Sequence, residues 1–231
     1  MELIWPIAGL ILLVVILFLA ERRWPDGIAR LEENIIAILL AAITLISFSQ
    51  VVARYGFNSG WTGSLEATRI LFAWLILFGM GYGVKTGIHL GVDALIRLFP
   101  KPLFKAAAIF GAFCTLAYAI ILLHGGVLAI VGNGTGGNWR QSGAIGYWAF
   151  MFDRGTGLDD LRYPDWAINS FGLQERVQRW VAYIMLPIGL ALLAFRSLQG
   201  IADIASGKRE LIVAGHEAED LVAENKNAVK D

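Results

Sequence analysis

Five apolar stretches run along the chain, and polar or charged segments separate them. They lie at residues 3–20, 34–53 and 65–84, within 103–131, and at 180–198. A helix needs roughly 20 mostly apolar residues to cross hydrocarbon about 30 Å thick. The third stretch carries Glu66 and Arg69 in its first turn. The fifth contains Pro187, which membrane helices tolerate when neighbouring groups satisfy the freed carbonyl. The pattern predicts five transmembrane helices.

The first stretch has a length that suits a signal peptide as well as a membrane anchor. No positively charged region precedes it, and Phe18-Leu19-Ala20 is a poor cleavage site. Arg22 and Arg23 follow it, as expected at the end of a retained span. We therefore favour a retained N-terminal helix over a cleaved signal.

The distribution of lysine and arginine predicts the orientation of the spans. These residues are concentrated in 21–33, in 85–105 and in the C-terminal region. The residues before the first stretch include none, and the 54–64 loop has only Arg54. Short cytoplasmic loops carry the excess of basic residues in membrane proteins. The N-terminus and the long 132–179 loop are therefore expected outside, and the C-terminal tail in the cytoplasm.

Two segments between the spans have apolar residues at helical spacing. Residues 24–31 fit a short interfacial helix or, equally well, a polar linker. In 89–100, His89, Asp93 and Arg97 stand four residues apart, which predicts an amphipathic helix on the cytoplasmic surface. A catalytic His–Asp pair is the weaker interpretation, because no serine or cysteine nucleophile is evident nearby.

The sequence predicts that the chain is organised in three parts. These are an N-terminal helix with its interfacial linker at 1–33, a membrane domain at 34–199, and a charged tail at 200–231 that we expect to be mobile. The 132–179 loop of the membrane domain contains an aromatic run at 144–152. That run is too short to cross a bilayer, so we expect it in the membrane interface or against a partner.

Composition supports a membrane protein and argues against several kinds of chemistry. The chain is 57% hydrophobic and 16% charged, and Lys+Arg and Asp+Glu balance at 19 each. Zero net charge argues against a nucleic-acid partner. One cysteine and three histidines offer no metal cluster. His89 is expected at the cytoplasmic side, and His124 lies roughly 21 residues into a helix that starts on that side, so about 30 Å separates them, too far to share a haem. We expect no cofactor, no metal and no internal repeat of the kind that builds secondary transporters, which favours a helper subunit.

An ordered set of residues carries a resemblance to a known family. The set is Arg54-Tyr55-Gly56-Phe57, Trp61, Glu66, Arg69, Trp74, Gly79, His89 and Val92-Asp93, followed in the last span by Tyr183, Pro187 and Gly189. It resembles the small membrane subunit of the tripartite ATP-independent periplasmic (TRAP) transporters, the DctQ-like family. The resemblance implies an all-α integral membrane protein. The family core is a bundle of four transmembrane helices, and the stretch at 3–20 departs from it as an additional N-terminal one. The helical spacing at 24–31 and 89–100 adds amphipathic interfacial helices.

The resemblance also implies partners and a location. The chain would scaffold a large TRAP membrane subunit in the bacterial inner membrane. A periplasmic substrate-binding protein would deliver an organic acid, and a sodium gradient would drive its uptake. The 132–179 loop is longer than the family pattern, and from its length and aromatic content we expect it to touch the binding protein or the rim of the large subunit. The alternatives are a stand-alone small transporter or channel, or the membrane anchor of a redox enzyme; in the favoured interpretation the chain is not an enzyme.

The residues singled out by the resemblance are expected to be structural or to lie at subunit interfaces. Glu66 and Arg69 would pair with each other or with the large subunit. His89 and Asp93 would orient the surface helix, and no residue is assigned a substrate contact. The full set is Arg54, Trp61, Glu66, Arg69, Trp74, Gly79, His89, Asp93 and Pro187.

Overall fold

The computed structural model describes residues 4–86, 100–124 and 143–207. Its helices are α1 (Ile4–Arg23), α2 (Pro25–Gly56), α3 (Ser64–Thr86), α4 (Lys101–Leu123), α5 (Gly143–Arg154), α6 (Asp165–Phe171), α7 (Arg179–Tyr183) and α8 (Met185–Ser206), with strands β1 (Gly157–Arg162) and β2 (Arg176–Gln178). His89 and Asp93 of the predicted surface helix, the glycine-rich start of the long loop and the tail beyond residue 207 lie outside the described residues.

Among the residues that the structure describes, four helical segments are long and apolar enough to cross a membrane, and they match the four predicted core spans. They are Gly27–Gly56, Ser64–Thr86, Lys105–Leu123 and Arg179–Ser206. The prediction of an all-α integral membrane protein is confirmed. α1 is a 20-residue helix that begins near the start of the predicted stretch at 3–20 and continues to Arg23, and it contacts α2 and α5; that it crosses the membrane stays a prediction.

α2 joins two segments that the sequence pattern separated. It runs without interruption over 32 residues from Pro25, which occupies a position that suits proline at a helix start. Between Ile28 and Tyr55 the chain has neither glycine nor proline, so no residue breaks the helix. The expected separate interfacial helix or linker at 24–31 is therefore wrong. At 1.5 Å per residue, α2 measures about 48 Å and exceeds the thickness of bilayer hydrocarbon.

The chain divides into two compact units, Met1–Gly79 with Ala119–Leu192, and Met80–Tyr118 with Leu193–Asp231. This division by packing follows a different criterion from the predicted division at residues 33 and 199, which stays a prediction. Within the second unit, Lys105 Nζ donates to the carbonyl of Ala205 at 3.3 Å, in the last turn of α8. A cation there complements the unpaired carbonyls of a helix end.

The first unit contains a small β-sheet that the sequence analysis did not predict. β1 and β2 pair antiparallel, with Gly157 opposite Gln178 and Arg162 opposite Arg176. The register shifts between these two pairs, so the ladder is irregular. The sheet lies between α5 and α7, within the segment that was expected to be a long loop.

α3 and α8 approach most closely at a glycine within the first unit. A Cβ atom added to Gly189 would lie 2.7 Å from the Cβ and 3.0 Å from the carbonyl oxygen of Leu77. Backbone atoms cannot move aside as the end of a side chain can, so this crossing requires glycine. Small residues allow this kind of approach between membrane helices, where van der Waals packing replaces the hydrophobic effect.

We predict that Gly189→Ala destabilises the isolated chain by about 1–3 kcal/mol, because the added methyl group overpacks the crossing. Thermal unfolding of the chain purified in detergent measures the effect. Gly111→Ala in α4 is the matched control: no atom of the described residues lies within 4 Å of its added Cβ. It should hold or raise the unfolding temperature. Equal unfolding temperatures for Gly189→Ala and the unsubstituted chain would contradict the close crossing.

Candidate functional site

The carboxylate of Glu66 binds the backbone of β1. Its Oε1 accepts a hydrogen bond from the amide of Asp159 at 3.2 Å, and its Oε2 accepts from the amides of Asp160 and Leu161 at 2.8 Å each. A carboxylate is an acceptor-only group with room for several donors, and hydrogen bonds to a charged acceptor are the stronger kind. The first turn of α3 is therefore tied to a strand more than 90 residues away in sequence.

The turn that precedes Glu66 fits closely against the same strand. A Cβ atom added to Gly63 would lie 3.0 Å from the carbonyl oxygen of Asp160 and 3.2 Å from the Cα of Leu161. Ser64 and Ala67 are buried next to it. Glycine and small side chains thus let the backbone of β1 come within reach of the Glu66 carboxylate.

Arg179 holds the other side of β1. Its Nε donates to the carbonyl of Gly157 at 3.0 Å, and its Nη2 lies 2.9 Å from Asp159 Oδ1. Its own backbone amide donates to the carbonyl of Thr156 at 2.8 Å. Because Arg179 is the first residue of α7, the start of the last apolar segment is fastened to the strand that Glu66 binds.

Two tryptophans satisfy carbonyl groups where the last span is interrupted. The helix breaks at Ile184, between α7 and α8, three residues before Pro187. Proline lacks an amide hydrogen and disturbs the preceding turn. Trp74 Nε1 donates to the carbonyl of Ala182 at 2.7 Å, and Trp148 Nε1 donates to the carbonyl of Trp180 at 3.1 Å. Indole groups from α3 and α5 thus donate to carbonyls in the turn before the break, next to the Tyr183 carbonyl that Pro187 leaves without a helical donor.

Aromatic side chains pack α5 against α7. Phe152 lies between Trp148 and Trp180, with ring centroids 5.9 and 5.4 Å away, and Tyr147 meets Tyr183 edge-on at 5.1 Å. The aromatic run at 144–152 is thus a helix of 12 residues between Gly143 and Arg154, about 18 Å long and too short to span. Its aromatic residues pack within this chain.

Of the predicted site residues that the structure describes, Arg54, Trp61 and Gly79 take no part in the contacts above. Arg54 and Trp61 are exposed, and the backbone amide of Trp61 donates to Gln50 Oε1 at 3.0 Å. Gly79 has no atom of the described residues within 4 Å of its added Cβ, so its role as a structural or subunit-interface residue stays a prediction. Gly189 admits the close crossing instead.

The expected internal pair between Glu66 and Arg69 is wrong. The Glu66 carboxylate binds amides of β1, whereas Arg69 is exposed and has no hydrogen bond or ion pair with the described part of the chain. Sequence reasoning also missed Trp148, Arg179 and the three amides. Donor amides have no side-chain signature, and the segment Leu-Asp-Asp-Leu lacks the alternation that marks a strand. Within the described ranges, no group of three or more metal-ligating side chains occurs.

Comparison with known proteins shows the family. The model of the DctQ component of tripartite ATP-independent periplasmic transporters matches residues 43–207. The C4-dicarboxylate TRAP transporter small permease protein DctQ of Vibrio cholerae is 38% identical over 213 residues, which are 87% of this chain and 84% of that protein. The chain belongs to the DctQ family. This confirms the resemblance, and the family is a transporter component rather than an enzyme.

Two further relatives differ in how much of their length they share with this DctQ family member. The protein of the same name from Pseudomonas aeruginosa is 29% identical, over 84% of this chain and 91% of that protein. The sialic acid TRAP transporter permease protein SiaT of Haemophilus influenzae is 27% identical over 43% of this chain but only 16% of SiaT. In SiaT a segment similar to this chain is therefore part of a much longer polypeptide. No solved structure matches the chain.

We predict that Glu66→Gln weakens the hydrogen bonding of the backbone amides of Asp159, Asp160 and Leu161, because one neutral side-chain oxygen replaces two charged acceptor oxygens. Glutamine has no charge, and its side-chain NH2 group, which is a donor, would face backbone N–H groups of β1, which are also donors. Loss of about 1.5 kcal/mol corresponds to roughly tenfold faster hydrogen exchange. Exchange measured by mass spectrometry on peptides covering β1 tests this.

The matched control for Glu66→Gln is Glu175→Gln. It breaks the exposed ion pair between Glu175 and Arg162, which should contribute less than about 1 kcal/mol. Equal exchange in β1 for the two variants would contradict the importance of the Glu66 contact.

Proposed function

We propose that the chain is the scaffold of a C4-dicarboxylate transporter: a small permease subunit that holds a large permease subunit in the bacterial inner membrane. The relatives from V. cholerae, P. aeruginosa and Rhodobacter capsulatus, all named C4-dicarboxylate TRAP transporter small permease protein, carry this proposal. In it, a periplasmic binding protein delivers the dicarboxylate and a sodium gradient drives uptake through the large subunit.

The contacts of the predicted site residues support a scaffold. Glu66, Trp74 and Gly189 each fasten one part of the chain to another, through amides, a carbonyl and a close helix crossing. Rigid elements of this kind suit a subunit that presents a fixed surface to a partner. The alignment with SiaT, in which a similar segment belongs to a longer permease protein, supports association with a large subunit.

The proposed orientation follows from the basic residues at the helix ends. Arg22 and Arg23 lie in the last turn of α1, and Lys85 lies in the last turn of α3. Basic residues favour the cytoplasmic side. The N-terminus and the β-sheet would then be periplasmic, and the C-terminus cytoplasmic.

Two measurements on one strain test the proposed function. Affinity purification of the tagged chain from native membranes in mild detergent should recover a large multi-span permease in near-equal amount. Deletion of the chain should abolish sodium-dependent uptake of a radiolabelled C4-dicarboxylate, and the restored gene should recover it. Unchanged uptake after deletion, or flux through proteoliposomes that hold this chain alone, would contradict the scaffold and favour a stand-alone transporter.

We also propose that the segment from α5 to β2 contacts the periplasmic binding protein. Trp166 and Phe171 on α6 are 67% and 70% exposed, although the segment around them is held in place by Glu66 and Arg179. Exposed aromatic residues on an ordered surface are typical of a protein contact. Removal of residues 138–170 would not isolate this contact, because it would also remove the amides that Glu66 binds.

We predict that Trp166→Ser combined with Phe171→Ser lowers uptake at limiting binding protein by about fivefold or more, because docking loses its aromatic contacts. Uptake in proteoliposomes with purified binding protein added in steps measures this. The amount of co-purified large permease should not change. Arg162→Gln with Glu175→Gln alters exposed residues of the same segment and serves as the control. Uptake of the aromatic double variant equal to that of the control at every concentration would contradict the contact.

A further inference from the structure

α3 has two faces, and only one of them is used within the first unit. On the first face, Ala67 is buried, the Trp74 indole binds Ala182, and Leu77 meets Gly189. The opposite face is a stripe whose members follow one another after four, three, four and three residues. We call this stripe the α3 seam, and it consists of Leu65, Arg69, Phe72, Ile76 and Gly79.

The α3 seam has the pattern of a surface that packs against another helix. Leu65, Phe72 and Ile76 are 60%, 53% and 48% exposed. Alternating steps of three and four residues place side chains along one side of a helix, as in helix pairs. No atom of the described residues lies within 4 Å of a Cβ added to Gly79. The seam therefore combines protruding apolar side chains with an open notch at Gly79. A gap of this kind beside a glycine admits close approach of another helix.

The charge of Arg69 favours a protein partner over lipid as the group that covers the α3 seam. Arg69 lies on the seam and has no hydrogen bond or ion pair with the residues that the structure describes. The nearest acidic side chain of α3, Glu66, is occupied by the amides of β1. Arginine within an apolar span is costly, and it usually pairs with a carboxylate or with carbonyl groups. A carboxylate neutralises the charge whereas a carbonyl does not, so we expect a helix that covers the seam to bring an acidic side chain to the depth of Arg69.

A second copy of this chain does not meet that requirement. Two copies in the same membrane orientation are related by a two-fold axis along the membrane normal, so equal depths face each other. Arg69 would then meet Arg69 of the other copy, and like charges oppose such an interface. The seam thus favours a different chain.

We propose that the α3 seam is the docking surface for a transmembrane helix of the large permease subunit, and that this helix carries an aspartate or glutamate that pairs with Arg69. This inference rests on the proposed scaffold function. Phe72 and Ile76 pack beside the partner helix, and Gly79 receives one of its side chains.

Photo-crosslinking in native membranes tests the location of the surface. A benzophenone amino acid replaces Phe72, Ile76, Phe48 of α2 or Phe110 of α4, one position at a time; Phe48 and Phe110 are also exposed. We expect crosslinks to the large permease from positions 72 and 76. Crosslinks from Phe48 or Phe110 only would overturn the seam and leave the scaffold function intact. Crosslinks from 72 and 76 to a second copy or to lipid alone would also overturn the seam. No large permease at any position or in the purified complex would overturn the scaffold function itself.

Substitutions in the full complex test the charge pair of Arg69 and the notch at Gly79. Arg69→Gln and Gly79→Leu should each reduce co-purified large permease by about tenfold or more, since one removes the charge pair and the other fills the notch. The unfolding temperature of the isolated chain should not fall. Within the described residues, the Arg69 side chain has no hydrogen bond or ion pair, and a Cβ added to Gly79 has no atom within 4 Å. Gly111→Leu, at an equally open glycine of α4, and Arg30→Gln, at an exposed arginine of α2, are the matched controls and should retain the permease. Full retention with Arg69→Gln would overturn the charge pair. Arg69→Glu should also lose the large permease. If replacing one acidic residue of the permease by a basic one restores its co-purification with this variant, that acidic residue is the partner of Arg69.

Discussion

The contact between the Glu66 carboxylate and three consecutive amides of β1 links the membrane helices to the folded segment from α5 to β2. β1 is irregular and pairs with a strand of only three residues, so its ladder alone holds it weakly. Glu66 supplies a charged acceptor on one side of β1, and Arg179 supplies donors on the other. Since Arg179 also begins α7, the strand joins the first turn of α3 to the start of the last apolar segment.

The same physical requirement, a partner for every backbone group, explains the interrupted last span. A proline in a membrane helix frees carbonyl groups that lipid cannot satisfy. Trp74 and Trp148 donate to carbonyls on either side of Val181 and bring α3 and α5 against the break. The indole donor and the large ring are used together, because tryptophan packs its ring beside the break while its nitrogen donates to a nearby carbonyl. The break therefore has a structural role: it holds three elements together.

The sequence predicted the elements that depend on a local pattern and missed those that depend on distant backbone. Long apolar runs specify the spans because hydrocarbon thickness sets their length. The continuity of α2 could also have been inferred, since no glycine or proline separates residues 28 and 55. The spacing of Glu66 and Arg69 suggested a helical ion pair, but backbone donors from β1 compete for that carboxylate and no sequence pattern reveals them. Glycines are visible in the sequence, yet only the structure distinguishes Gly189, which contacts Leu77, from Gly79, which is open.

Because the Glu66 carboxylate is bound within the chain, it does not neutralise the charge of Arg69. An internal pair would neutralise both side chains and leave α3 with an apolar surface that lipid could cover. When the carboxylate is bound to amides instead, Arg69 keeps its charge on the exposed face. The interaction that stabilises this subunit thereby also creates its requirement for a partner, because an acidic group at that depth compensates the charge better than lipid does. Stability of the folded segment and specificity of assembly are, on this view, two consequences of one carboxylate.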